Sequence, residues 1–184
     1  MSALKFMFQY ISKPRTVGAI LPSSKYLAKK MVAQVDFDTI TNIFEYGPGT
    51  GVFTDEILKK RKPETKLFLI ERNPDFAKQL AKKYEDTLYV TVINDTADQI
   101  GKYLGIYSIP KADCIISGLP FASLPPEISE NILKESKNHL AIGGKFITFQ
   151  YTLLRMGFFE NYFDEIAITH EIRNVPPAYV LCCS

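Results

Sequence analysis

The segment Glu45-Tyr46-Gly47-Pro48-Gly49-Thr50-Gly51 sets glycine at three alternate positions, between a short apolar run and a helical pattern. Gly47 permits backbone angles that other residues avoid, and Gly49 lets a ligand approach the main chain with no Cβ in the way. A helix beginning near Val52 would turn its free N–H groups towards that ligand. Twenty residues after Gly51, Glu71 ends a second apolar run, where a carboxylate accepts both hydroxyls of a ribose. Asn94-Asp95 closes a third run, where the Asp95 carboxylate can accept from an adenine amino group. The spacing GxGxG, in place of GxGxxG, cradles no pyrophosphate and favours S-adenosylmethionine over a dinucleotide. The sulfonium of that molecule is an already activated methyl donor. An in-line displacement then asks the protein for alignment, exclusion of water and an acceptor with a free lone pair. An alkyl amine acceptor, with a pKa near ~10.4, must first lose a proton.

Other chemistries are poorly provided for. The histidines are His139 and His170, with no HxxH or HExxH, which argues against a zinc site or a His-based triad. No metal ligand set is expected. Cys114, Cys182 and Cys183 are an odd count without CxxC spacing, which fits a reducing cytosol. At 184 residues, with 46% apolar and 23% charged residues, the chain has the make-up of one ordinary globular domain. No apolar run approaches the ~20 residues of a transmembrane helix, and the start lacks the pattern of a signal peptide.

These residues need elements to hold them. Leu4, Met7, Phe8 and Ile11 fall at helical spacing, and Pro14 ends that helix. Residues 18–22 read as a loop. Ser23 or Ser24 can cap a second helix, with Leu27, Ala28, Met31, Val32 and Val35 on one face. Strands are then expected at residues 42–46, 66–70, 89–93, 113–117, 144–151, 166–173 and 179–183. Helices are expected at 52–60, 74–84, 96–104 and 126–140. Alternation of strand and helix demands a mostly parallel sheet with helices on both faces. The last two strands are too close for a crossover and pair antiparallel. This α/β layout, seven strands with a terminal antiparallel hairpin and a glycine loop after the first, resembles the Rossmann-like class I S-adenosylmethionine-dependent methyltransferases.

Charge is uneven. Residues 1–34 hold Lys5, Lys13, Arg15, Lys25, Lys29 and Lys30 and no acid, a charge of +6 within a chain of net +2, so the remainder carries −4. With Phe6, Met7, Phe8, Tyr10 and Ile11 interleaved, this stretch suits an anionic membrane surface, where each basic residue contributes ~1 kcal/mol. It would equally suit nucleic-acid phosphates or be a docked helix with a solvated basic face. The reading adopted is a helical lid or membrane-contact extension over 1–34 and a methyltransferase domain over 35–184.

In open α/β sheets, ligands sit outside the carboxyl ends of the parallel strands. The loops at residues 18–24, 118–124, 151–155 and 174–178 therefore face the acceptor. Val17-Gly18-Ala19-Ile20-Leu21-Pro22-Ser23-Ser24, the glycine segment, Ser117-Gly118-Leu119-Pro120-Phe121, Phe149-Gln150-Tyr151 and Asn174-Val175-Pro176-Pro177-Ala178 resemble the small bacterial phospholipid N-methyltransferases. Those enzymes methylate phosphatidylethanolamine stepwise towards phosphatidylcholine. The resemblance runs from about residue 6 to residue 180. It implies S-adenosylmethionine held by Glu45, Gly47, Gly49, Gly51, Glu71, Asp95 and Ser117. It also implies an acceptor site of Gly118, Leu119, Pro120, Phe121, Tyr151 and Asn174, with Tyr10 closing over it. Aromatic faces at Phe121 and Tyr151 would attract a methylated ammonium at ~0.5–2 kcal/mol, or simply pack. Asn174 either orients the acceptor or caps its turn. The expected partners are a phospholipid and an anionic membrane surface, for a monomer in the cytoplasm at the inner face of the membrane.

The chain is also similar to the rRNA adenine N6-dimethyltransferases, which carry Asn-(Leu/Ile)-Pro-(Tyr/Phe) after strand four, the Asn bonding the adenine amino group. Here Gly118 stands at that place and offers no side-chain acceptor. The chain also ends after strand seven, without the extra helical domain those enzymes use on RNA. An adenine methyltransferase is therefore the second reading, and a non-catalytic cofactor-binding module the third.

Overall fold

The computed structural model describes residues 24–154 and 156–184. The readings for the helix at 4–11, Tyr10, the loop at 18–23 and Arg155 lie outside the described residues. Helix α1 is Lys25–Val32, and β1 is Asn42–Tyr46. Then come α2 (Val52–Leu58), β2 (Lys66–Ile70), α3 (Pro74–Lys83) and β3 (Val90–Ile93). A 3₁₀ turn at Ala97–Gln99 leads into α4 (Ile100–Ile106) and β4 (Ala112–Ser117). The chain continues with α5 (Pro126–His139), β5 (Leu140–Gln150), α6 (Met156–Glu160), β6 (Ile166–Glu171) and β7 (Ala178–Cys183).

The strands form one seven-stranded sheet in the order β3-β2-β1-β4-β5-β7-β6. Neighbours from β3 to β5 pair parallel, and β7 runs antiparallel between β5 and β6. This is the Rossmann-like methyltransferase fold. The central strands are covered on both sides, so β1 is buried at every position and reads as a continuous run rather than an alternation. On one face, Leu27 and Met31 of α1, Ile57 of α2 and Leu80 of α3 pack on Ile43, Leu67 and Ile116. On the other, Ile100 and Leu104 of α4, Leu133 of α5 and Phe159 of α6 pack on Phe44, Ile115 and Phe146. Among the described residues, no helix is long and apolar enough to cross a membrane.

Several boundaries differ from the sequence reading for local reasons. Tyr89 takes a φ of 59°, so β3 begins one residue later than expected. Strand β5 begins at Leu140 rather than Gly144, because the Ala112–Leu140 pairing is joined to Cys114–Lys145 through a register shift that Gly143 absorbs at φ 74°. Helix α6 was not expected: five residues are too few for a periodic pattern.

Candidate active site

The chain winds outward from β1 to β2 and β3, then returns to place β4 on the other flank of β1. That reversal opens a crevice at the carboxyl ends of β1 and β4, where ligands of such sheets bind. The glycine loop leaves β1 on one side of it, and the Gly118 loop leaves β4 on the other.

Gly47, Gly49 and Gly51 all lie in the left-handed region, at φ 62°, 56° and 85°. Only glycine takes these angles without strain. A Cβ on Gly49 would meet nothing within 4 Å, so the front of the loop is bare main chain. Gly51 forms the N-cap of α2 with no side chain contributing. Behind it, the Tyr84 hydroxyl lies 2.8 Å from Asp55 Oδ1 and 3.2 Å from the Gly51 carbonyl. Burial and the Asp55 carboxylate push that phenol up, so it stays protonated as a donor. Tyr84 lies on a different element from the glycine motif, and nothing in the sequence pointed to it.

Glu71 faces this loop. Its Oε2 accepts from Gly49 N–H at 3.0 Å, and its Oε1 accepts from Asn73 N–H at 2.8 Å. Burial raises its pKa, and the two backbone donors oppose the rise. Asn94 donates to the Glu71 carbonyl at 2.8 Å and pins the end of β2. The carboxylate thus stands at the loop with lone pairs remaining beyond its two protein donors. A bare glycine loop, a helix N-terminus and this acid fit the adenosyl moiety and amino-acid tail of S-adenosylmethionine.

The other cofactor-side residues are more deeply engaged. Glu45 is fully buried beneath the loop rather than in its mouth. Its Oε2 accepts from the Thr54 hydroxyl of α2 at 2.8 Å, and its Oε1 is buried without a partner. Burial lifts its pKa to about 8. Asp95 accepts from the Tyr103 hydroxyl at 2.6 Å and Lys102 Nζ at 2.9 Å on Oδ2, and from Thr96 N–H at 2.8 Å on Oδ1. The Tyr103 and Lys102 bonds hold its pKa down to about 2, so it is a permanent carboxylate with most of its capacity spent inside the protein. Ser117 is buried, and its Oγ accepts from Leu119 N–H at 3.3 Å. Tyr46 packs in the core, with its hydroxyl 3.3 Å from Ser136 Oγ.

Gly118 is held where the two loops touch. Its N–H donates to the Tyr46 carbonyl at 2.8 Å. A Cβ there would stand 2.8 Å from the Gly47 carbonyl oxygen and 3.4 Å from the Phe53 ring. Leu119 lies over Gly47, with Cδ2 2.7 Å from where a Gly47 Cβ would be. The expected ring face of Phe121 is not offered to a ligand. Phe121 is 2% exposed and packs edge-on against Phe146 and Phe159, at centroid distances of 6.0 and 5.5 Å, and Pro120 is buried beside it. Of the two readings the sequence left open, packing holds, and the unexpected helix α6 supplies Phe159 for it.

On the far side, the structure brings Tyr151 and Asn174 together. Tyr151 is half-buried, its ring edge-on to Phe149 at 5.5 Å. Burial raises its phenol, and hydrogen bonding to the Asn174 side chain opposes that. Asn174 is 3% exposed. Its Oδ1 accepts from Ser24 N–H at 3.2 Å, and its Nδ2 donates to the Pro176 carbonyl at 2.7 Å. It caps the turn and tethers the start of α1, so its amide is spent on the protein. Gln150, which the motif reading passed over, ends β5 at 4% exposure with Nε2 unpartnered. Among the described residues, no group of three or more His, Cys, Asp or Glu could hold a metal ion.

The family model described as ribosomal RNA adenine dimethylase matches residues 5–153. An ornithine lipid N-methyltransferase from Singulisphaera acidiphila is 28% identical over 97% of this chain and 93% of its own length. A ribosomal RNA small subunit methyltransferase A from Hydrogenobaculum is 31% identical over 68% of this chain, which spans 46% of that relative. Among solved structures, Aeropyrum pernix fibrillarin with natively bound S-adenosyl-L-methionine superposes with a TM-score of 0.68 at 13% identity, over 87% of this chain and 76% of that one. That likeness concerns the fold.

Proposed function

The chain belongs to the ribosomal RNA adenine dimethylase family and is an S-adenosylmethionine-dependent methyltransferase, and from that premise we propose that it methylates the primary amine of a membrane aminolipid. The observation that carries this reading is Gly118. An adenine reader needs a side-chain acceptor here, yet a Cβ would meet the Gly47 carbonyl at 2.8 Å, so the main chain itself excludes one. The near full-length likeness to an ornithine lipid N-methyltransferase supports the same reading.

Gly47, Gly49, Gly51 and Glu71 would hold the cofactor, which when bound supplies a methyl group activated by a sulfonium. The residues of the chain then have three tasks. The glycine loop and the N-terminus of α2 fix the donor. The Leu119 side chain over Gly47 dries the crevice. Tyr151, braced by Asn174, lends a half-buried aromatic wall on which an ammonium can rest. No side-chain nucleophile is required. Phosphatidylethanolamine and ornithine lipid present the same chemistry, a primary amine at a bilayer surface, and either satisfies this site. RNA is the second reading, favoured by the family model and by the 31% identity to an rRNA methyltransferase.

The test offers labelled S-adenosylmethionine to the full chain with three acceptors: vesicles of phosphatidylethanolamine, vesicles of ornithine lipid, and unmodified rRNA. Label is expected on lipid, and the two vesicle arms identify which lipid. Label on RNA alone overturns the reading.

A further inference from the structure

The acceptor-side loops bear aliphatic side chains that lie open to solvent: Leu154 is 92% exposed, Val175 73% and Ile172 70%. These residues sit on adjoining segments. Strands β5 and β7 pair Gln150 with Tyr179, so the loop after β5 and the turn before β7 leave the same end of the sheet side by side. The Tyr151 hydroxyl and the Asn174 side chain lie near each other between the two segments. Leu88, Ile106 and Ile142 are also exposed, but on separate elements at the opposite end of the strands.

Two further observations bear on the occupant. Asn174 Oδ1 accepts from the Ser24 N–H, which anchors the start of α1 at this same turn. The turn's own acid, Glu171, is 1% exposed under Arg173, whose guanidinium also stacks 4.6 Å from the Tyr26 ring centroid. Lys25 is exposed beside them. The rim thus shows apolar tips and the exposed ammonium of Lys25, while Arg173 is ion-paired with Glu171 at 2.7 Å and the neighbouring Asp55 and Glu56 are paired with Lys83 and Lys59.

We propose that this rim docks on an anionic lipid leaflet, with Ile172, Val175 and Leu154 entering the interfacial layer and Lys25 and Arg173 meeting headgroups. The proposal rests on the aminolipid reading. Aliphatic tips gain by leaving water for the acyl boundary and need no partner of matching shape. Basic groups gain from anionic headgroups. RNA phosphates would serve the cations and leave the aliphatic tips in water, so a bilayer accounts for both. Docked this way, the crevice faces the leaflet, and a headgroup amine reaches it without its acyl chains crossing water.

The experiment uses the full chain as wild type, as the triple variant Leu154→Ser/Ile172→Ser/Val175→Ser, and as Val175→Trp. Probes are vesicles of phosphatidylglycerol with phosphatidylethanolamine, a short-chain aminolipid dispersed as monomers, and rRNA. The triple variant should sediment with the vesicles at least about fivefold less than wild type and lose vesicle methylation in step. Its S-adenosylmethionine affinity and its rate on the monomeric lipid should hold. The chain has no tryptophan, so Val175→Trp is a lone reporter whose emission should move to shorter wavelength with vesicles and stay put with RNA. Should the triple variant lose cofactor binding and thus its fold, the reporter decides alone. Undiminished sedimentation of a folded triple variant, an unshifted reporter, or a shift with RNA instead of vesicles each overturn the proposal. The aminolipid reading fails separately, by absence of label on any lipid with the wild type.

Discussion

The two flanks of the crevice are built on opposite plans. On the β1–β3 flank, the ligand-facing groups are main chain and the Glu71 carboxylate, which Gly49 and Asn73 fix in place, while Asp95 is already engaged with Tyr103, Lys102 and Thr96. On the β5–β7 flank, contacts are made by side chains on loops, and open aliphatic residues surround them. A donor common to many enzymes can be held by backbone geometry that tolerates no change. An acceptor can be exchanged by changing loop side chains while the sheet stays as it is. If this contrast is right, substitutions on the first flank should strike the cofactor, at Gly51 together with the fold, and those on the second should strike the acceptor alone.

The largest effect is expected at Gly51. Alanine there must hold φ 85°, and its Cβ would collide with the buried Tyr84 hydroxyl, which Asp55 pins. Left-handed strain and a broken hydrogen bond together should cost roughly 2–5 kcal/mol, read as a lowered denaturation midpoint. Gly49→Ala meets nothing within 4 Å and should cost only about 1–2 kcal/mol, yet it should still weaken S-adenosylmethionine binding in calorimetry. Equal losses of stability at both positions would deny the loop its preformed shape.

Glu45 sharpens the same point through pH. Its pKa of about 8 in the fold lies above the ordinary carboxyl value of 4.5, so the folded state holds a proton that the unfolded chain releases. Stability should therefore fall as pH rises from about 4.5 to about 8 and level off above. Glu45→Gln keeps an acceptor for Thr54 and removes the titration. Unfolding curves between those limits should flatten, and the variant should exceed wild type at the alkaline end. A slope unchanged in Glu45→Gln would assign the pH dependence elsewhere.

Glu71→Ala tests the ligand side of that flank. Charge-assisted hydrogen bonds of this kind contribute ~1.5–3 kcal/mol, so affinity for S-adenosylmethionine should drop at least about tenfold while circular dichroism is retained. Unchanged affinity would remove Glu71 from the site.

How much of this could be read beforehand follows the same division. The glycine loop, Glu71 and the first two strands were legible, because left-handed turns and continuous apolar runs leave local marks. Glu45 and Asp95 were visible as acids, but whether their oxygens were free depended on Thr54, Lys102 and Tyr103, and neither the burial of Glu45 nor the partners of Asp95 have a local mark. Whether Phe121 faces a ligand or packs was open in the sequence, because the helix that covers it is five residues long and has no periodicity to detect. Tyr84 reaches Gly51 from 33 residues downstream, a contact that only the assembled sheet creates. Loop side chains get their meaning from neighbours distant in sequence, so the acceptor flank was the less legible one.

Asn174 is where the contrast can be tested at the smallest cost to the fold. Its side chain bonds two pieces of the second flank, Ser24 at the start of α1 and Pro176 in the turn, and lies near a third, Tyr151 after β5. Asn174→Ala leaves the Ser24 N–H and the Pro176 carbonyl without that partner. Ser24 is half-buried and within reach of water, so the loss should stay near 1 kcal/mol rather than the full penalty of a sealed group. None of the three pieces touches Gly47–Gly51 or Glu71 through any bond described above, so S-adenosylmethionine affinity should be unchanged. The Tyr151 wall and the start of α1 lose their common brace. The expected result is a raised KM for the lipid amine with little change in kcat at saturating lipid. Asn174→Asp, which still accepts from Ser24 but cannot donate to Pro176, should fall between wild type and Asn174→Ala. If cofactor affinity falls as far as the acceptor KM rises, the two flanks are one mechanical unit, and the division drawn between them is wrong.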